Sequence, residues 1–299
     1  MYFDKNTYAF WDGRWVKAAD AKLSPYTQVV QYGIGVFEGM RAYRYTEGKE
    51  EKTYIFKAEE HFRRLLNITQ RMNLHLPYTV EQLTQIAGEL LERNKLSEAY
   101  IRPLAYAGEN MKLDSTAEAH IYICAWKWGK LYGDKPLKVM TSSFCRPHPK
   151  SGYTDAKISG HYINAALATT EAQLQGFDEA LLLDVNGYVA AGSRANFFYE
   201  KHNTLYTAPI GNIFPGITRS TIINICRHVG IRVEERLFRP EEVRGADSAF
   251  FAGTAAEITA IASLDGTPFR RKWENTIGVV LERHYKAMLR REEFNEVYL

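Results

Sequence analysis

Cysteine is scarce in this 299-residue chain: Cys124, Cys145 and Cys226 are odd in number and far apart. Such a set builds no disulfide framework and lacks the paired spacing of zinc ligands. The eight histidines are dispersed with no HxxxH pair, so no protein-ligated metal is expected. No apolar run approaches the roughly 18 to 20 residues of a membrane span. The opening "MYFDKNTYAFWDG" carries Asp4 and Asp12 where a signal peptide has basic and apolar regions, which predicts a cytoplasmic location. Charge of one sign is lacking as well. The formal net charge is +3, and lysines and arginines are spread along the chain, so nucleic-acid and membrane partners are not indicated. No GxGxxG follows a strand, which disfavours a dinucleotide fold, and there is neither an internal repeat nor a low-complexity segment.

What is present is a globular composition, with 45% hydrophobic and 24% charged residues, on a chain long enough for two lobes. "YAFWDGRWV" places Asp12-Gly13 between two aromatic runs, which predicts a hairpin. "VFEGMRAYRY" reads as one strand and "KTYIF" as the next, followed by a helix carrying Phe62, Leu65, Leu66, Thr69 and Met72 and a second helix from about Thr79 to Asn94. Strands "AYIRPLAYAG" and "AHIYICAW" come next. "KWGKLYGDKP" has the glycine, proline and lysine content of a connector. The reading is α+β, with an N-terminal lobe over 1–128, a connector over 129–136 and a larger C-terminal lobe over 137–299. That second lobe should hold a helix from Gly160 to Gln175, a series of strands, a helix after "FPGITR" and a long helix from about Thr276.

Several stretches invite chemistry. "DAKISGHYINAAL" sets Lys157 among Ile158, Tyr162, Ile163, Ala165 and Leu167. Such a lysine either snorkels to water or turns inward, where burial favours the free, nucleophilic amine. In "NIFPGITRSTIINIC", Thr218 stands near a helix start, as an N-cap or as part of an anion cup made with backbone N–H groups. "HFRRLLNITQRMN" puts Arg63 and Arg64 on one helix, and whichever lies nearer the packed face needs an anion. Gly253 and Thr254 in "FFAGTAAEIT" either turn the chain or hold an anionic ligand. In "AYIRPL", Tyr100 and Arg102 share a strand face, as an exposed pair or as a carboxylate-recognition pair.

Taken in order, these segments resemble the fold-type IV pyridoxal-phosphate enzymes, a two-lobe architecture of the D-amino-acid aminotransferase kind, and among them the branched-chain amino-acid aminotransferases. "YGIGVFEGMR", "HFRRL", "AYIRPL", "WKWG", "DAKISGHYINAAL", "FPGITR" and "GTAAEIT" match the family's motifs in the family's order, nearly end to end. The resemblance implies that Lys157 binds pyridoxal 5'-phosphate covalently and shuttles the substrate proton. It implies that Arg64, Thr218, Thr254 and the N–H groups of Ile217 and Thr218 hold the phosphate, and that Tyr162 bonds the ring's phenolic oxygen. Tyr100 with the N–H groups of Thr254 and Ala255 would take the substrate's α-carboxylate, and Arg102 the second carboxylate of glutamate. Tyr32, Phe37 and Trp128 would line the side-chain pocket, or else serve as plain core. The implied reaction is transamination between Leu, Ile or Val and 2-oxoglutarate, in a cleft between lobes, by a homodimer at least, with a hexamer as a further option.

One position departs from the pattern. In "VNGYVAAGSRANFF", Ala191 stands where the family has the glutamate that keeps the pyridine nitrogen protonated. Ser193 and Arg194 are the nearby substitutes. The departure implies a slowed or altered aminotransferase, a variant of an active parent, or a cofactor-binding protein without turnover. D-amino-acid transamination, amine transamination and aminodeoxychorismate lyase chemistry are the alternatives on the same fold.

Overall fold

In the computed structural model, residues 2–114, 117–211 and 213–291 are described. The chain divides into two units. One runs to Gly129 and takes in Ala156–His161; the other comprises Lys130–Asp155 and the chain from Tyr162 on.

The first unit opens with the hairpin β1 (Tyr8–Trp11) and β2 (Arg14–Lys17). Its turn at Asp12 and Gly13 has φ of 44° and 83°, the left-handed values a two-residue hairpin loop requires. The short α1 (Gln28–Tyr32) is followed by β3 (Gly35–Phe37), β4 (Met40–Glu47), β5 (Glu50–Ile55), α2 (Ala58–Arg71), α3 (Val80–Arg93), β6 (Ala99–Ala107) and β7 (Ala119–Trp126). Thr79 and Gln82 form a capping box that starts α3. The strands make one antiparallel sheet in the order β2-β1-β7-β6-β4-β5, with β3 also on β6. Period-two alternation divides its side chains. Val36, Ile101, Ala105, Ile121, Ile123 and Ala125 face a core shared with Phe62, Leu65, Leu83, Ala87 and Leu90 of α2 and α3.

The single strand expected from "VFEGMRAYRY" is two, broken at Glu38-Gly39. Glu38 is fully buried and turns toward α2, while a Cβ on Gly39 would stand 1.8 Å from the Tyr100 hydroxyl. The lysine segment, expected in the C-terminal lobe, packs instead with the first unit. Backbone bonding explains this: Phe37 N–H donates to the Lys157 carbonyl at 3.0 Å, Ile158 bridges Val36, and Gly160 N–H donates to the Gly33 carbonyl at 3.0 Å.

The second unit contains β8 (Leu137–Thr141), α4 (Tyr162–Leu174), β9 (Glu179–Leu183), β10 (Val189–Gly192), β11 (Asn196–Lys201), β12 (Thr204–Thr207), α5 (Ile217–His228), β13 (Val233–Glu235), α6 (Pro240–Arg244), β14 (Ser248–Gly253), β15 (Glu257–Leu264), β16 (Thr267–Pro268) and α7 (Ile277–Arg290). The order β10-β9-β8-β15-β14-β11, with β10 also paired to β11, closes six strands into a ring. Its interior is apolar, with Val139, Leu181, Val189, Phe197, Tyr199, Phe251 and Ile261 in one cluster. A closed ring leaves these strands without free edges. It also gathers the β10–β11 hairpin tip and the β14–β15 turn at one end, because Asn196 pairs with both Ala191 and Ala252.

Gly33 tests the lysine's attachment. Its φ is +69°, and a Cβ there would lie 2.7 Å from the Gly160 Cα. Gly33→Ala should cost about 2 to 4 kcal/mol, combining left-handed strain with overlap against backbone. Urea unfolding reads this as a lowered midpoint. A midpoint equal to the parent's would mean that the 157–160 segment yields freely.

Candidate active site

In the first unit, Phe37, Tyr100, Arg102 and Trp126 lie on the sheet face opposite the α2–α3 core. The pairings Phe37 with Leu104, Arg102 with Cys124 and Tyr100 with Trp126 set them side by side. The Arg102 guanidinium stands 4.5 Å from the Phe37 ring centre and 5.4 Å from that of Tyr100. Trp128 packs edge-on to Tyr100, with centroids 4.9 Å apart. Lys157, half-buried, brings its Nζ to 5.8 Å from the Phe37 ring centre. Five of the expected residues therefore share one face: Lys157, Phe37, Tyr100, Arg102 and Trp128. Tyr32 is engaged differently, 40% exposed at the end of α1 with its hydroxyl donating to the Met111 carbonyl at 3.0 Å. The apolar residues after Lys157 do not bury it, since Ile163 and Leu167 are exposed on α4. The backbone pairing to β3 is what holds the lysine.

The two arginines of α2 separate as helix geometry demands. Arg63 is exposed and near Glu59, whereas Arg64 is largely covered and forms a fork with Glu38, Nε to Oε1 at 2.6 Å and Nη2 to Oε2 at 2.9 Å. His61, one turn before Arg64, meets the same carboxylate through Nδ1 at 2.8 Å. Burial alone would raise the Glu38 carboxyl, but Arg64 and His61 outweigh it and hold it well below the usual carboxylate range. Burial pushes the His61 ring down against the pull of Glu38. The consistent state is an ionised Glu38 accepting Nδ1–H from a neutral His61. Sequence reasoning missed both Glu38 and His61. The available signal was an acidic residue inside an apolar run, with histidine three residues before Arg64.

In the second unit, one end of the strand ring collects the remaining candidates. Gly216 begins α5 with no side-chain cap, which leaves the first-turn N–H groups of Ile217 and Thr218 directed outward from a twelve-residue helix. The preceding turn is held by Asn196, whose Nδ2 donates to the Phe214 carbonyl at 2.9 Å. A Cβ at Gly216 would stand 2.2 Å from Asn196 Oδ1. Arg219, buried, anchors the same helix end to the Ala208 carbonyl at 2.8 Å and to Glu235. Asn196 is opposite Ala191, so that position shares its face with the 214–218 turn. Thr254 and Ala255 form the turn between β14 and β15, and the Ala255 carbonyl accepts from Leu131 N–H at 3.3 Å. Tyr162 opens α4 near the half-buried Arg146.

This donor set fits a phosphorylated cofactor at one pole and departs from the family at the other. Uncapped N–H groups at the start of a twelve-residue helix are the donors an anionic group requires. Ala191 is buried and offers only a methyl group. Of the two nearby substitutes, Ser193 is buried with an unpartnered hydroxyl, whereas the Arg194 side chain runs toward Glu179. Two of the three thiols are kept protonated by burial, which pushes Cys124 to about 11 and Cys226 to about 12.

The Glu38 cluster yields a stability prediction. Glu38→Ala removes the buried carboxylate fork from the Arg64 guanidinium and should cost about 3 to 5 kcal/mol, with Glu38→Gln less harmful because it keeps an acceptor. The folded-state pKa of Glu38 is depressed, so its contribution is present above the unfolded carboxylate range, near 4.5, and is lost as pH falls below that value. Unfolding free energy followed from pH 6 to 3 should therefore decline less steeply in Glu38→Gln than in the parent. Parallel pH profiles would show that the carboxylate is not coupled to Arg64.

Comparison with known proteins identifies the family. The model of the amino-transferase class IV family matches residues 35–264. The branched-chain-amino-acid aminotransferase of Pseudomonas aeruginosa is 39% identical over 290 residues, 95% of this chain and 92% of that protein. Among solved structures, the branched-chain aminotransferase from Thermoproteus uzoniensis with norvaline aligns with a TM-score of 0.91 at 34% identity, covering 98% of this chain and 99% of that one. The branched-chain amino acid aminotransferase from Thermobaculum terrenum in its PLP form aligns at 0.89 with 31% identity, covering 98% and 97%. By its matched family model, its relatives and the order of its site segments, the chain belongs to the class IV aminotransferases, within the branched-chain amino-acid aminotransferases.

Proposed function

We propose that the protein moves the amino group between branched-chain L-amino acids and 2-oxoglutarate with pyridoxal 5'-phosphate. The observation that carries this reading is the placement of Lys157, zipped by its backbone to β3 on the face that bears Phe37, Tyr100, Arg102 and Trp128. When bound, the cofactor supplies an electron sink for the charge that develops at the amino acid's Cα. Lys157 would hold the cofactor through its ε-amine, and the same amine would take and return the Cα proton. Arg64, Thr218, Thr254 and the N–H groups of Ile217 and Thr218 hold the phosphate, and Tyr162 donates to the phenolic oxygen. Glu38 and His61 keep the Arg64 guanidinium aimed. Tyr100 and the N–H groups of Thr254 and Ala255 take the α-carboxylate, Arg102 takes a second carboxylate, and Phe37, Trp128 and Tyr32 shape an apolar pocket for the aliphatic side chain.

We also propose a homodimer. α4 carries Ile163, Leu167 and Leu174 on one side, at 65%, 43% and 83% exposure, an apolar stripe of the kind that marks an interface. A cytoplasmic setting accords with three cysteines that are all free.

The test of the reaction is direct: formation of glutamate from leucine and 2-oxoglutarate by protein saturated with cofactor. Transfer from a D-amino acid or a primary amine, with none from leucine, would move the reading to another member of the family. Ala191 sets the expected rate. Ala191→Glu supplies an anionic partner that favours the protonated pyridine nitrogen. If that partnership is worth about 3 to 4 kcal/mol in the transition state, the single-turnover rate with leucine should rise roughly 100- to 1000-fold. An unchanged rate, with cofactor bound and the fold intact, would show that Ser193 already serves that nitrogen.

A further inference from the structure

We propose that Thr259 is a positioning residue for the substrate's α-carboxylate: its hydroxyl holds the Ala256 carbonyl and, through it, the shape of the Thr254–Ala256 turn. The proposal rests on the reading of the Thr254 and Ala255 N–H groups as the α-carboxylate donors. Gly253 at the end of β14 pairs with Glu257 at the start of β15, so three residues reverse the chain. A reversal of this length uses one left-handed residue, commonly glycine. Here that residue is Glu257, with φ of +53° and 8% exposure. The left-handed region disfavours any residue with a Cβ. Such a conformation persists only where its surroundings over-determine it, and residues of this kind gather at ligand sites.

Two bonds supply that constraint, both on carbonyls of the turn. The Ala255 carbonyl accepts from Leu131 N–H at 3.3 Å, and the Ala256 carbonyl accepts from the Thr259 hydroxyl at 2.7 Å. The second is the shorter, and it is buried. Ala256 belongs to the apolar cluster inside the strand ring, as does Phe251, which Thr259 faces across the β14–β15 ladder. Thr259 is thus fixed by its strand and reaches back to the peptide group immediately before the strained Glu257. Because a peptide group is planar, holding the Ala256 carbonyl also sets the direction of the Glu257 N–H on its other side. Thr254 and Ala255 are the more exposed part of the turn. A carboxylate bound by two backbone donors needs both at a fixed separation. A turn that flexes presents them together for only a fraction of the time, and the apparent affinity falls by that fraction.

The experiment compares the holoenzyme with Thr259→Val, which keeps the shape and loses the hydroxyl, Thr259→Ala, which loses it without crowding, and Thr259→Ser, which retains it. Binding of 4-methylpentanoate, a monocarboxylate with leucine's carbon skeleton and no amino group, is measured by calorimetry, and the leucine half-reaction by single turnover. Thr259→Val and Thr259→Ala should each weaken 4-methylpentanoate about 5- to 30-fold, the worth of one buried hydrogen bond. They should raise the leucine KM by a similar factor, with kcat within about 3-fold of the parent. Thr259→Ser should recover most of the affinity. Unchanged 4-methylpentanoate affinity with a lowered unfolding midpoint would overturn the proposal and leave Thr259 as a stabiliser of the strand ring. A fall in kcat at unchanged KM would also overturn it, because the effect would then lie at the reacting atoms. The parent's own binding of 4-methylpentanoate and its reaction with leucine decide the proposed function, whereas the variant-to-parent ratio decides Thr259, so the two failures are distinct.

Discussion

The backbone bond from Phe37 to the Lys157 carbonyl, with the Val36–Ile158 bridge beside it, is the constraint on which the first unit's chemistry depends. Lys157 is 120 residues from Phe37 in the chain, and nothing local keeps an amine on that sheet face. The bridge does so, and the close approach of Gly33 to Gly160 leaves no room for it to slide. The aromatic and guanidinium groups of β3, β6 and β7 then acquire a common direction from strand alternation alone. Glu38, the next residue after Phe37, turns to the opposite side and fixes Arg64 through a buried fork. One break in one strand thus serves two ends: it frees a glycine for the Tyr100 hydroxyl and sends a carboxylate into the helix layer.

The second unit achieves convergence by closure instead of a bridge. Its ring of strands puts Asn196 against both Ala191 and Ala252, and the Asn196 amide then reaches the turn before α5. A hairpin tip, a strand-to-strand turn and an uncapped helix start meet because three chain reversals share one end of a closed sheet. The arrangement is rigid where it must be, with Phe197 and Phe251 filling the interior beneath, and it keeps its polar groups at the rim. Ala191 shows that the scaffold does not need a carboxylate at that position to stand: the methyl is simply covered.

Much of this is legible in the sequence, for reasons that are local. Asp12-Gly13 signals a hairpin through its left-handed φ values, and Thr79 with Gln82 signals a helix start through a capping box. The lysine segment, the phosphate turn and the Tyr100–Arg102 pair are visible as short motifs. The partners that only folding supplies stay hidden. Glu38 reads as part of a continuous strand until His61 and Arg64 arrive from 23 and 26 residues away. Tyr132 and Glu179 are 47 residues apart, and Asn196 gives no sign that it holds the chain at Phe214. Composition divides the chain at its connector and cannot show that Lys157 packs with the first unit, because a single cross-strand pairing decides where it packs. The five-residue α6 is too short for any helical period to show.

Lys157, fixed by its pairing to β3, is the amine proposed to carry the cofactor, and the assignments on that sheet face are placed relative to it. Reduction of the purified holoenzyme with borohydride, followed by proteolysis and peptide mass mapping, tests this most directly. The expected result is one stoichiometric pyridoxyl adduct, on the peptide that contains Lys157, and loss of that adduct in Lys157→Ala with the fold retained. An adduct on another lysine, or a protein that takes up no added pyridoxal phosphate, would contradict it.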